Sequence, residues 1–212
     1  MGRDLSNKCK LCRRAGEKLF LKGARCTTPK CAMIRKAYPP GAHGAKRKRH
    51  QSEFGQQLAM KQKMKRIYGV REKQFKKYFR GVKNKPGVTG DLLIQKLEMR
   101  LDNILYRAGF SSNRLQARQL VRHAHFFVNG KPVNIPSCEM KPGDVIELKP
   151  AKSEKVYHKY QKEVLKSRKE TLEISWLDID SDQMLVKIKS RPTRNEAGVD
   201  VDAQMVVEFY SR

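Results

Sequence analysis

From Leu97 to Pro150 the chain is bound to a helix pair followed by a tight hairpin. Leu93, Leu97, Leu101, Leu105 and Ala108 recur at helical spacing and predict one helix, stopped by Gly109. Asn113 can cap a second helix whose apolar face is Ala117, Leu120, Val121 and Ala124. Arg114, Arg118 and Arg122 recur every four residues on that helix and share one face. Three guanidiniums in a row repel one another unless something anionic sits opposite, and a phosphate backbone suits that face. Next comes Phe126-Phe127-Val128-Asn129-Gly130-Lys131-Pro132-Val133. Asn-Gly between apolar runs is the strongest short-range hairpin signal. Lys141-Pro142-Gly143-Asp144 turns the chain into a further strand, Val145 to Leu148.

Charge narrows the partner. The net charge is +26 over 212 residues, an imbalance that folding does not need and self-repulsion opposes. It is uneven: residues 1–90 hold 26 Lys and Arg against 4 Asp and Glu, whereas residues 91–212 hold 21 against 17. Nucleic acid is the polyanion that such a distribution fits. Lys46-Arg47-Lys48-Arg49 is the densest run, set in a Pro- and Gly-rich stretch that predicts an irregular path. The other cations singled out for RNA are Lys61, Lys63, Lys65, Arg66, Arg100, Arg107, Arg114, Arg118, Arg122 and Lys131, with His123 beside them. No apolar run is long enough to span a membrane, so no membrane partner is expected. Charge scattered through residues 1–30 argues against a secretory signal and for a cytoplasmic location.

Four of the five cysteines, Cys9, Cys12, Cys26 and Cys31, form Cys-x2-Cys and Cys-x4-Cys pairs thirteen residues apart. Two close pairs joined by a loop match a four-thiolate structural zinc site. An iron–sulfur cluster is the lesser alternative occupant, and disulfides would need an oxidising compartment. Such a site lets a segment poor in apolar residues fold. The lone Cys138 reads as a small packed side chain.

Elsewhere the periodicity predicts helices from about Ser52 to Tyr68 and from about Arg71 to Val82, the second with Phe75, Tyr78, Phe79 and Val82 inward. Ser153 to Lys169 reads as helical. Leu172, Ile174 and Trp176 alternate, as do Met184, Val186 and Ile188, and predict two strands joined by a polar turn at Asp178 to Asp182. The aspartates there do not make a calcium loop, because Gln183 and Lys189 stand where Gly and Glu are required. Asp202 can cap a last helix ending near Tyr210. There is no Gly-rich phosphate loop and no nucleophile elbow, and the five histidines lack a nucleophile partner in sequence, so no catalytic residue is assigned. An RNA-modifying enzyme would need a separate catalytic domain that neither end of the chain resembles. A DNA-binding regulator would need a dimerisation stripe.

Several stretches together resemble a known family. They are Cys9–Cys31, Pro40-Gly41-Ala42-His43-Gly44, Arg66-Ile67-Tyr68-Gly69-Val70 and Gly87-Val88-Thr89-Gly90. Arg100-Leu101-Asp102-Asn103 through Phe110, Ala117 to His123, Val128-Asn129-Gly130 and Glu208 to Arg212 complete the set. In this order, over the whole length, they resemble the bacterial small-subunit ribosomal protein S-four family. The resemblance implies an α+β fold with three parts. A zinc-knuckle arm would occupy 1–45. A discontinuous α-helical domain would occupy 46–96 and be completed by a 180–212 tail. An inserted S-four-type RNA-binding domain, a helix pair plus small antiparallel sheet, would occupy 97–179. It also implies binding of 16S ribosomal RNA early in small-subunit assembly, contact with ribosomal protein S-five, and proximity to protein S-three and to messenger RNA at its entry path, which Lys46 to Arg49 would face. Repression of its own operon is a further implied role.

Overall fold

The structure is a computed structural model that describes residues 6–46, 50–153, 157, 158, 162, 165 and 174–212. The chain divides into two units, residues 1–93 with 200–212, and residues 94–199.

The first unit is helical. Helices α1 (Lys8–Ala15) and α2 (Ala32–Arg35) flank a 3-10 turn at Gly23–Cys26. Helix α3 (Glu53–Ile67) is capped by Ser52, whose hydroxyl accepts from the Gly55 amide at 3.3 Å. Helix α4 (Glu72–Lys83) follows, with Phe75, Tyr78, Phe79 and Val82 buried as their spacing predicts. Helix α5 (Thr89–Glu98) contains the division between the units. Near its start a Cβ on Gly90 would stand 2.9 Å from that of Ala203, so only glycine permits this approach. The C-terminal helix (Ala203–Ser211) is capped by Asp202 and packs on α3 and α4: the Tyr210 ring stacks on Phe79 at 4.8 Å, and Phe209 lies 5.5 Å from Phe54.

In the second unit the long predicted helix is broken. Helix α5 ends at Glu98, and helix α6 (Leu101–Arg107) begins after an extended Arg100. The reason is tertiary. Met140 N–H donates to the Met99 carbonyl at 2.8 Å, and the Leu101 and Asp102 amides donate to Cys138 and Pro136 carbonyls. A neighbouring loop thus pairs with backbone groups that a continuous helix would have joined to each other. Helix α7 (Arg114–Arg122) is capped by Asn113, whose Oδ1 accepts from the Gln116 amide at 2.9 Å.

The hairpin forms where Asn-Gly places it, between β1 (Phe126–Val128) and β2 (Lys131–Pro132). Asn129 and Gly130 both have positive φ, 50° and 74°, as a two-residue turn with the twist of its strands requires. With β3 (Val145–Leu148), β4 (Leu177–Asp180) and β5 (Leu185–Ile188), these strands form an antiparallel sheet ordered β2-β1-β3-β5-β4. Its inner face carries Phe126, Ile146, Val186 and Ile188 against Leu101, Ile104, Leu105, Ala117 and Val121.

Three further expectations change. Asp178 and Asp180 lie in strand β4, and the turn is shifted to Ser181–Met184; Trp176 is buried in the turn that precedes the strand. Asp180 then organises that turn, accepting from the Asp182 and Gln183 amides. Because β5 pairs with β3, residues 180–188 complete the sheet, and the segment joining the helical unit starts only at Asp200. Ala124 leaves the predicted apolar face, taking φ 50° just past α7, and His125 is buried instead, with Nδ1 2.7 Å from His158 Nε2. A four-residue helix (Arg194–Ala197) with a Thr193/Glu196 capping box was not predicted. Most of the Ser153–Lys169 helix expectation, and Leu172, fall outside the described residues.

Candidate nucleic-acid interface

One arginine of the α7 face, Arg118, meets a carboxylate inside the protein. Arg118 is 8 % exposed and its Nη1 lies 3.6 Å from Asp102 Oδ2. Asp102 also takes both prongs of buried Arg100, at 3.0 and 2.6 Å. Arg107 forks onto fully buried Glu98 at 2.9 and 2.8 Å and donates to the Ala197 carbonyl. Glu98 in turn accepts from Asn103 at 2.6 Å, and Asn103 accepts from Arg114 Nε at 2.7 Å. The Arg114 guanidinium stacks 4.4 Å over Tyr106. So Arg100, Arg107 and Arg118, read from the sequence as RNA contacts, are fastened to this unit's own carboxylates. Arg122, His123 and Lys131 are exposed.

A similar sorting occurs along α3. Lys61 is 5 % exposed, donates to Glu72 at 2.9 Å and lies 4.3 Å over the Phe209 ring. Lys65 donates to the other oxygen of Glu72 at 3.0 Å. Burial alone would raise the Glu72 carboxyl, but hydrogen bonds from Tyr210, Lys61 and Lys65 outweigh it and hold it at about 2. Lys63 lies 2.9 Å from Glu17 and 3.2 Å from Asp200. Burial would lower its ammonium, and the bonds to Glu17 and Asp200 raise it instead. Arg66 is half-buried and Lys46 exposed, while Arg47, Lys48 and Arg49 lie outside the described residues.

The cysteine pairs converge. Cys9 and Cys12 on α1, Cys26 on the 3-10 turn and Cys31 at the start of α2 border one hollow, with Lys8, Lys22 and Arg25 around it. Cys12, Cys26 and Cys31 are buried in a segment with few apolar residues. Burial pushes the Cys12 thiol up, although the Leu19 amide works against this, and the other three cysteines add to the rise. All five cysteines are free thiols. In kind and number the four donors suit a thiolate metal site. Among the described residues, however, no group of three or more His, Cys, Asp or Glu is arranged to hold an ion.

Sequence reading missed the outer side of α4. Lys73, Lys76, Lys77, Arg80 and Lys83 are all exposed there. The signal was present: if Phe75, Tyr78, Phe79 and Val82 face the core, the intervening cations must share the opposite face.

Comparison with known proteins gives two adjoining family matches. Residues 3–98 match the family described as ribosomal protein S4/S9 N-terminal domain, and residues 99–146 match the S4 domain. The junction falls where α5 ends and the backbone extends through Arg100. Small ribosomal subunit protein uS4 of Syntrophomonas wolfei is 48% identical over 212 residues, spanning 100% of both chains. Proteins of the same name from Pelotomaculum thermopropionicum and Thermus thermophilus are 47% and 46% identical, again over 100% of each chain.

Proposed function

Since this chain belongs to the small ribosomal subunit protein uS4 family, we propose that it is a structural, non-enzymatic constituent of the small ribosomal subunit that binds 16S ribosomal RNA. The observation that carries the reading is the excess of 26 basic over 4 acidic residues in 1–90, much of it on exposed side chains. Phosphate contacts from that region, with Arg122 and Lys131 on the sheet-bearing unit, supply affinity and its salt dependence. The shape of an RNA junction supplies selectivity, because folded RNA is read largely by form. In this reading the protein acts early in assembly, in the cytoplasm, touching ribosomal protein S-five and standing near protein S-three. The Lys46–Arg49 run faces messenger RNA at its entry path, which gives the protein a part in translational accuracy, and binding to its own message represses it. Among the described residues no helix is long and apolar enough to cross a membrane.

The test is competition at moderate salt: labelled 16S junction RNA against excess unrelated structured RNA. Selective retention of the junction is expected. Equal competition would overturn the reading, leaving a binder of any polyanion.

Cys9, Cys12, Cys26 and Cys31 would hold one zinc ion, which when bound supplies a structural tie between α1, the 3-10 turn and α2. Four protein ligands leave no open position for catalysis. Lys8, Lys22 and Arg25 border the same hollow. Elemental analysis of protein purified without added metal is expected to give about one zinc per chain. Iron with visible absorbance would replace zinc by a cluster, and absence of both metals would overturn the assignment.

A further inference from the structure

We infer that the outer face of α4 is a phosphate-binding stripe, a second RNA-contact surface distinct from the arginine helix α7 and from the Lys46–Arg49 run. It rests on the reading of the chain as an RNA binder. At 3.6 residues per turn, Lys73, Lys76, Lys77, Arg80 and Lys83 fall within an arc of about 120°, opposite the buried Phe75, Tyr78, Phe79 and Val82. Along the axis they span about 15 Å.

The carboxylates of the same unit explain why this stripe stands apart. That unit contains eight acids: Asp4, Glu17, Glu53, Glu72, Asp91, Asp200, Asp202 and Glu208. Asp200 pairs with Lys63, Asp202 caps the C-terminal helix and Glu208 accepts from Gln57. Glu17 is bonded to Lys63, and Glu72 to Lys61 and Lys65. Glu53 accepts from Gln57 and pairs with Arg212 at 3.3 Å. Asp4 lies outside the described residues. Among the described residues no acid pairs with any of the five cations on α4. They also crowd one another at three- and four-residue spacings, where like charges destabilise a helix by about 0.2–0.5 kcal/mol per pair. An external anion relieves that repulsion.

The chemistry of the face selects the ligand. It presents ammonium and guanidinium groups and no aromatic ring, so it takes a phosphodiester backbone and does not stack bases. Over about 15 Å of axis, one strand of a duplex presents about four phosphates, at about 3.4 Å each.

The test compares the full chain with a variant carrying Lys73→Gln, Lys76→Gln, Lys77→Gln, Arg80→Gln and Lys83→Gln. Glutamine keeps helix propensity, and circular dichroism checks the fold. The control carries Lys141→Gln, Lys187→Gln, Lys189→Gln, Arg191→Gln and Arg194→Gln, an equal loss of charge at exposed positions of the other unit. The probe is 16S junction RNA, and the readout is the slope of log affinity against log salt. The α4 variant is expected to show a slope shallower by about 3, with the control within about 1 of the unchanged chain. An unchanged slope in the α4 variant, or an equal change in both variants, would overturn the stripe. The slope decides this whether or not the unchanged chain prefers the junction over other RNA, so failure of the stripe and failure of the ribosomal reading are told apart.

Discussion

Replacing Asp102 with alanine is expected to destabilise the 94–199 unit by about 3–5 kcal/mol, as breaking a buried ion pair from one side does. Asp102 is 4 % exposed and stands between two buried cations, Arg100 at 2 % and Arg118 at 8 %. It binds Arg100 through both oxygens, and the same Oδ2 faces Arg118 at 3.6 Å. The carboxylate therefore joins the start of α6 to the middle of α7. Without it, two guanidiniums remain in a low-dielectric interior with their mutual repulsion no longer offset. Asp102→Asn, which keeps the shape and one acceptor oxygen but not the charge, is expected to cost less than the alanine change. Urea unfolding of both variants provides the measurement. A loss below about 1 kcal/mol for Asp102→Ala would show that the ion pair does not hold the helix pair together.

Glu72→Gln is expected to cost about 2 kcal/mol and to remove part of the protein's sensitivity to acid. Glu72 accepts from Lys61 at 2.9 Å, Lys65 at 3.0 Å and the Tyr210 hydroxyl at 2.7 Å. Its side chain is 44 % exposed, so solvent screens part of the attraction. The Lys61 end is buried at 5 %, and hydrogen bonds to charged groups contribute about 1.5–3 kcal/mol. In the folded chain the carboxyl titrates at about 2 against an ordinary 4.5. A depressed carboxyl stabilises the fold fully above about 4.5 and loses that contribution as pH falls towards about 2. Stability of the unchanged chain is thus expected to fall across that window more steeply than stability of the Gln variant. Parallel pH profiles would show that Glu72 does not anchor the C-terminal helix.

Much of the local structure was legible. Asn113 and Asp202 cap helices as their side chains predict, and Asn129-Gly130 turns the hairpin, because caps and tight turns are satisfied by residues a few positions away. The stretch from Leu93 to Ala108 was not legible as two helices. Its apolar period is unbroken, and the break at Arg100 comes from a loop forty residues further on. Strand β4 was displaced for a similar reason: its pairing with β5 places Asp178 on the exposed side and draws Leu177 inward.

The sequence alone determined the class of partner and the parts of the machine. Charge imbalance, thiol spacing, helical period and turn chemistry are all local properties, and each survives any arrangement of the elements. Tertiary structure alone decided which cations remain available. Arg118 and Arg122 share one face in the sequence pattern, yet Asp102 neutralises the first and the second stays exposed. Lys61 and Lys77 look alike in composition, yet the turn into α4 brings Glu72 back to the first and no carboxylate to the second. The reason is Coulombic: a charge is cancelled only by a neighbour within a few ångströms, and long-range packing sets where the few acids of this chain come to rest.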